Sequence, residues 1–271
     1  MDGTTMHAAQ GHPYYPQDSV IPGYAPNSTP IPVILGAFSG IVGVFTLGCV
    51  SLAKWYNPGL KRADQLIIGW FALCGFLHCF FEGYFVLHHA SIPASQSIFS
   101  QAWKEYSLSD SRYLTSDPFM LCIEMLTTLT WGPLSFLTAV LIATSTPTST
   151  PTSTSAPKRH NYSHQGTRHL LQTVVCVGHL YGVALYYGTC GFAEHMRGLS
   201  FSRPEWLYYW GYYAGMNAPW AVVPGVLLYQ SARAIQGAFV AAAAAPAARD
   251  VGEGKKERWG LQNVWGRRFC W

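Results

Sequence analysis

The stretch GFLHCFFEGYF at residues 75–85 decides what kind of protein this chain encodes. It lies inside a long apolar run, yet it contains His78 and Glu82, which are four residues apart. Residues at this spacing share one face of a helix. An ionisable side chain at the centre of a membrane span costs a few kcal/mol, ~2.5–3.5 on insertion scales. Two of them on one face therefore indicate a polar site inside a membrane, with partners on other helices.

Composition predicts an integral membrane protein. Only 11% of the 271 residues are charged, whereas soluble domains have about 25%. The apolar runs are near the length that crosses a hydrocarbon core of about 30 Å. We therefore predict an all-α fold, a bundle of five transmembrane helices around an intramembrane ligand cavity. The predicted spans lie at about 31–53, 66–88, 118–143, 169–192 and 206–230.

Three segments differ from these spans in composition. Residues 1–30 form a polar, proline-containing head, and residues 144–157 are a Ser/Thr/Pro-rich insert of low complexity. Residues 236–271 form a basic tail. We expect one membrane domain over residues 31–235, with the insert as a disordered loop between the third and fourth spans.

The distribution of Lys and Arg predicts the orientation of the chain. The loops after the first and third predicted spans, together with the residues after the fifth span from Arg233 on, hold 13 of the 17 basic residues, and the remaining segments hold four. Cytosolic loops carry the excess of positive charge. The head is therefore predicted to be luminal or external and the tail and the insert cytosolic, which requires an odd number of spans.

Only two acidic residues, Glu82 and Glu124, lie well inside predicted spans. Each has a polar companion on its own helix face, His78 for Glu82 and Thr127 for Glu124. One interpretation is structural, in which a protonated carboxyl bonds to a neighbouring helix. We favour a functional interpretation, because ionisable residues inside a membrane usually mark a site of function.

Two carboxyl groups and a histidine in an apolar cavity are suited to proton transfer. A carboxyl group removed from water can keep its proton near neutral pH and act as an acid, and a histidine can shuttle that proton. In the fifth predicted span Trp220 follows Asn217 by three residues, and a tryptophan face stabilises a nearby cation. This set predicts a reaction of a lipophilic substrate through a carbocation.

Other classes of function find no support in the sequence. It has no HExxH motif and no cysteine pair at CxxC spacing, so we expect no metal site. It has neither a nucleotide-binding loop nor a serine nucleophile elbow. Its basic residues lie in loops and the tail without interleaved aromatics, so we expect no nucleic-acid partner.

The motifs of this chain resemble those of the emopamil-binding protein family, the 3β-hydroxysteroid Δ8-Δ7 isomerases of the EXPERA group. The resemblance runs from about residue 12 to 234. It is carried by residues 75–85, WKEY at 103–106, DSRY at 110–113, residues 124–134 and residues 216–226. The chain departs from the family at His179, where the family has glutamine, at Val183, where it has an acidic residue, and in the insert and tail.

The resemblance implies an enzyme, a cholestenol Δ-isomerase of sterol biosynthesis. It implies five helices in the endoplasmic reticulum membrane, a cavity open to the bilayer, and often a homodimer. The reaction moves a sterol double bond from C8=C9 to C8=C7, and it needs no cofactor because it is redox-neutral. Cationic amphiphilic inhibitors are also implied as ligands.

The family's catalytic positions match His78, Glu82 and Glu124, and its substrate-binding positions match Tyr113, Thr127, Asn217 and Trp220. We expect Glu82 with His78 to transfer protons and Glu124 to be the counter-charge, although the reverse assignment of the glutamates fits the sequence almost equally well. The alternative function is a sterol-binding or amphiphile-binding membrane protein without catalysis. A transporter is disfavoured because the sequence shows no inverted repeat.

Overall fold

The computed structural model describes residues 11–145 and 159–244, with side chains from residue 164 in the second range. Within these ranges the regular elements are all helical, which confirms the predicted all-α fold. Most of the predicted insert at 144–157 and the tail from residue 245 lie outside the described residues. The α-helices are α1 (Ile31–Tyr56), α2 (Arg62–Phe76), α3 (Gly83–His88), α4 (Ile98–Tyr106), α5 (Pro118–Leu126), α6 (Gly132–Thr144), α7 (Arg159–Arg197) and α8 (Pro219–Ala244).

Three π-helical segments interrupt this α-helical pattern. The first, Leu77–Glu82, joins α2 to α3, and the second, Thr127–Trp131, joins α5 to α6. The third, Leu207–Gly215, precedes α8. A π turn is wider than an α turn, and such segments often occur at functional sites. All three coincide with stretches that the sequence analysis singled out, or directly precede them.

Four helical stretches of the described chain are long and apolar enough to cross a membrane. They are Ile31–Tyr56, Arg62–His88, Pro118–Thr144 and His164–Arg197, and they correspond to the first four predicted spans. The fifth predicted span, 206–230, is also helical, but it consists of the third π-helical segment and the first part of α8. Pro224 lies inside α8, and the fifth predicted span is not one of the four stretches above.

The long helices pack in the order α1, α2, α6, α7 and α8. α1 is the least buried of them, since only Ile34 and Ala53 on it are buried. Its remaining apolar side chains are largely exposed, as expected for a helix that faces lipid. The first and second π-helical segments contact each other, so the two irregular turns meet inside the bundle.

The buried apolar side chains form two separate cores. One core includes Ile67, Phe71, Ile142, Val175 and Leu227. The other is rich in aromatic residues and includes Tyr14, Phe85, Trp103, Met120, Tyr186 and Tyr213. In the second, third and fifth predicted spans the predicted site residues fall, along the chain, between a residue of one core and a residue of the other. These spans therefore pass from one core to the other at the site.

Helix α4 and the described part of the head cover the aromatic core. Tyr14 donates a hydrogen bond to the carbonyl of Lys104 at 3.0 Å, and the Lys104 ammonium group donates to the carbonyl of Ala25 at 2.9 Å. Trp103 Nε1 donates to the carbonyl of Phe81, in the first π-helical segment, at 3.0 Å. Helix α4 is therefore hydrogen-bonded both to the head and to the π-helical segment that carries His78 and Glu82.

Two glycines allow the helices around the site to approach closely. A Cβ atom added to Gly132 would lie 3.2 Å from both the backbone nitrogen of Cys79 and the Cβ of His78. A Cβ atom on Gly178 would lie 2.6 Å from the ring of Trp131. Both distances are shorter than ordinary contacts, so the absence of a side chain is required at these positions.

We expect Gly132→Ala to destabilise the protein by about 1–3 kcal/mol, the usual effect of overpacking. The new methyl group has to displace the backbone beside His78. The control is Gly40→Ala in α1, where a Cβ atom would meet nothing within 4 Å and a gain in helix propensity of up to ~1 kcal/mol is expected. Thermal unfolding in detergent measures both, and equal stability of the two variants would contradict the packing argument.

Candidate active site

A cavity of about 280 Å³ lies against the aromatic core, whose Trp103, Met120 and Tyr186 form part of its wall. All seven predicted site residues line it, together with residues of α1, α4 and α7. Most of its remaining wall is apolar or aromatic, so polar groups in it are largely shielded from water. The seven residues are His78, Glu82, Tyr113, Glu124, Thr127, Asn217 and Trp220.

His78 and Glu82 form a close pair inside the first π-helical segment. The Nδ1 atom of His78 lies 2.7 Å from one carboxylate oxygen of Glu82 and 2.8 Å from the other. The His78 side chain is only 5% exposed and that of Glu82 is 16% exposed. The spacing of four residues thus brings the two groups into contact, although the backbone between them is π-helical rather than α-helical.

Thr127 links the two glutamates. Its hydroxyl oxygen lies 2.6 Å from Glu82 Oε2 and 3.4 Å from Glu124 Oε2. Glu124 has a nearer partner in Tyr113, whose hydroxyl donates to Glu124 Oε1 at 2.8 Å. Thr127 is thus closer to the glutamate of the other helix than to the carboxyl group of its own. The spacing in the sequence pairs Thr127 with Glu124 alone.

The second π-helical segment is anchored to the first. Thr128 donates a hydrogen bond to the carbonyl of His78 at 2.9 Å. Neighbouring hydroxyls, those of Thr127 and Thr128, therefore hold the side chain of Glu82 and the backbone of His78 respectively. This arrangement positions the carboxyl groups by contacts between two helices and not by either helix alone.

A second set of polar residues lines the cavity, on α4 and on the segment before α8. The side-chain amide of Asn217 donates to the Tyr106 hydroxyl at 3.0 Å and to the carbonyl of Tyr213 at 2.8 Å. The Tyr212 hydroxyl donates to Glu105 at 3.2 Å. Burial raises the pKa of Glu105, which lies outside the membrane-spanning helices, and the Tyr212 hydrogen bond opposes this effect.

Trp220 lies in the cavity wall and packs against Trp70. Their ring centroids are 5.3 Å apart and their planes are inclined by 52°. The Trp220 ring nitrogen is buried and has no hydrogen-bond partner among the described residues. Asn217 and Trp220 therefore share the cavity with the glutamates but make no hydrogen bond to them, whereas the other five predicted residues form one connected network.

The structure adds His179 to the cavity wall, and it places Cys74 beside His179 but outside that wall. His179 on α7 has its Nε2 atom 3.0 Å from Nε2 of His78. The thiol of Cys74 lies nearby, so that one donor atom each of Cys74, His78 and His179 falls within 4.8 Å of the others. The sequence signal for His179 was a histidine in an apolar span, the same signal that identified His78, but its partner is 101 residues away.

Comparisons with known proteins agree with the motif resemblance. Residues 98–231 match the EXPERA family, described as the expanded EBP superfamily. The chain is 36% identical to a 3β-hydroxysteroid-Δ8,Δ7-isomerase of Rattus norvegicus over 226 residues, which cover 81% of this chain and 86% of the relative. It is 31% identical to a probable isomerase of the same name from Oryza sativa over 234 residues, covering 84% and 94%.

A further relative is named for a different activity. An isomeliandiol synthase of Melia azedarach is 31% identical over 198 residues, covering 71% of this chain and 80% of the relative. The rat and rice matches extend over most of both chains, well beyond the part that matches the family description. The chain therefore belongs to the EXPERA family, the expanded EBP superfamily.

Proposed function

We propose that this protein is a sterol Δ8-Δ7 isomerase, which moves the B-ring double bond from C8=C9 to C8=C7 in sterol biosynthesis. The observation that carries the proposal is the network of His78, Glu82, Thr127 and Glu124 inside an apolar cavity. The curated names of the rat and rice relatives support the same reaction. An isomerisation is redox-neutral, so no electron carrier is needed to balance it.

The proposed reaction begins with a proton held by Glu82 and His78. This pair delivers the proton to C9, and the electrons of the C8=C9 bond form the new C–H bond. The cation left at C8 then loses a proton from C7 to the same pair, and the C7–H electrons form the new double bond. The pair ends in its starting protonation state, as catalysis requires.

Glu124 and Trp220 are proposed to stabilise the cation at C8. Two neighbouring carboxylates in an apolar cavity repel each other when both are charged, so one shared proton leaves one negative charge in the site. Tyr113 and Thr127 orient the carboxyl of Glu124. The face of Trp220 adds an interaction of about 2 kcal/mol or more with a desolvated cation.

The same site explains the two kinds of ligand that we propose. A sterol is apolar enough to reach a cavity within the bilayer, and the aromatic wall matches its flat ring system. A cationic amphiphile places an ammonium group where the C8 cation develops, beside a carboxylate and Trp220. Mimics of a transition state bind more tightly than the substrate, so such amines are proposed as inhibitors.

We also propose five spans, an endoplasmic reticulum location and a luminal head. Residues 207–217 and 219–244 are helical, and α8 packs along α7. Proline in a span is tolerated where neighbouring helices satisfy the freed carbonyl groups. Five spans put the ends of the chain on opposite sides of the membrane, in agreement with the Lys and Arg distribution. A homodimer is proposed from the family resemblance.

Orientation can be tested with epitope tags at the two ends. In cells whose plasma membrane alone is permeabilised, we expect an antibody to reach the tail and not the head, because the basic residues concentrate on the tail side. Full permeabilisation provides the control, since it exposes both tags. Detection of both ends without it would contradict the proposed fifth span.

The carboxyl groups can be tested by Glu82→Gln and Glu124→Gln. Each change keeps the shape and some hydrogen bonds but removes a transferable proton or charge, so turnover should fall on the order of 10²-fold or more. Glu194→Gln, on the exposed part of α7, is the control and should retain activity. The measurement is the sterol composition of cells that lack their own isomerase.

The wild-type chain in the same cells separates catalysis from simple sterol binding. A sterol-binding protein without catalysis would produce no Δ7 sterol there. Wild-type turnover by both glutamine variants, with normal protein levels, would leave the carboxyl groups only a structural role.

Trp220→Leu tests the stabilisation of the cation. Leucine remains bulky and apolar but has no ring quadrupole, so affinity for a lipophilic amine should fall by roughly 1–3 kcal/mol. The neutral carbon analogue of the same amine should lose much less affinity, and turnover should fall too. Binding of both ligands to wild type and variant is the measurement. Equal losses would mean that Trp220 only fills space.

A further inference from the structure

Three donor groups of different chemistry converge beside the glutamate pair. The thiol of Cys74, a ring nitrogen of His78 and a ring nitrogen of His179 lie within 4.8 Å of one another, and all three residues are buried. We propose that they form a zinc-binding site and that zinc bound there inhibits the enzyme. The binding is independent of the proposed function, whereas the inhibition rests on it.

The distances are close to those of a zinc site. Zinc takes His nitrogen at about 2.0–2.1 Å and Cys sulfur at about 2.3 Å in tetrahedral geometry, which separates the donor atoms by roughly 3.3–3.6 Å. Nε2 of His78 and Nε2 of His179 are 3.0 Å apart. Drawing in the thiol therefore needs a side-chain movement on the order of 1 Å, with a fourth position left for water.

The surroundings of His78 are those of a metal ligand. Its Nδ1 atom lies 2.7 Å from the Glu82 carboxylate, and histidines that bind metals usually donate their other ring N–H to a carboxylate or a carbonyl group. Nδ1 of His179 has no partner among the described residues, so no hydrogen bond there dictates its tautomer. Both Nε2 atoms can therefore present a lone pair to one ion.

The charges balance in this apolar environment. Zinc brings two positive charges, and Cys74 contributes one negative charge after its thiol proton is released to solvent. The carboxylate of Glu82, on the far side of the His78 ring, supplies the second negative charge. A neutral assembly avoids the cost of a net charge away from water, and proton release means that affinity rises with pH.

The donor set favours zinc over the common hard cations. Thiolate and imidazole ligands select zinc and other transition metals such as copper and iron, whereas magnesium and calcium prefer oxygen ligands. A zinc ion on Nε2 would fix His78 in one tautomer and place positive charge next to Glu82. The pair could then no longer exchange a proton with a sterol, which is why binding inhibits.

Direct binding is the first test and needs no activity. The purified full chain is titrated with cobalt(II), a spectroscopic stand-in for zinc whose visible bands report four-coordinate thiolate ligation, and zinc should displace it at one equivalent. Cys74→Ala and His179→Gln should each weaken binding on the order of tenfold or more. Cys49→Ala, a half-buried cysteine in α1 outside the set, is the matched control and should bind as wild type.

Inhibition is the second test. Zinc should lower wild-type turnover and a chelator should restore it, whereas Cys74→Ala should keep its turnover in zinc. If Cys74→Ala does not fold, as judged by thermal unfolding, the loss of cobalt binding in His179→Gln decides the matter. Absence of a cobalt spectrum in wild type, or an unchanged spectrum in the ligand variants, would overturn the site.

The two tests also distinguish the site from the proposed activity. Cobalt binding by a chain that makes no Δ7 sterol would retain the metal site and reject the proposed function. Zinc binding without any loss of turnover would overturn the inhibitory role.

Discussion

Two carboxyl groups that lie in an apolar bundle must be held by hydrogen bonds, and the rest of the structure depends on that constraint. An unpaired charge out of water is far more costly than any single packing contact. Here the carboxyl group of Glu82 is hydrogen-bonded to His78 and Thr127, and that of Glu124 is hydrogen-bonded to Tyr113. These partners come from the second and third helical stretches and from the loop between them, so the network ties remote parts of the chain together.

The backbone around the site is irregular where the network needs it. The first π-helical segment carries both His78 and Glu82, and the second begins at Thr127. The carbonyl group of His78 accepts the backbone N–H of Gly83 within this segment and also a side chain from the other segment. The side chains of Thr128 and Trp103 bond to carbonyl groups of the first segment. Gly132 permits the close approach that these contacts require.

The cavity lies against the aromatic core, and residues of that core form part of its wall. The polar network of the two glutamates lines the same cavity, so its carboxyl groups are surrounded mainly by apolar and aromatic side chains. This arrangement suits chemistry on a lipophilic molecule, since it combines an apolar lining with a few positioned polar groups. The fold also brings a thiol and a second histidine beside the pair, and these are the donors of the zinc site that we propose.

Local spacing in the sequence determined the helical class, four of the spans and the contact between His78 and Glu82, because periodicity over a few residues is a local property. It also identified Glu124, Thr127 and Trp220 as candidates, because polar residues stand out in apolar runs. Only the tertiary structure decided which glutamate Thr127 approaches more closely, that Tyr113 bonds to Glu124, and that His179 meets His78. These contacts join residues on different elements, and their geometry depends on helix packing and on π turns that no short pattern encodes.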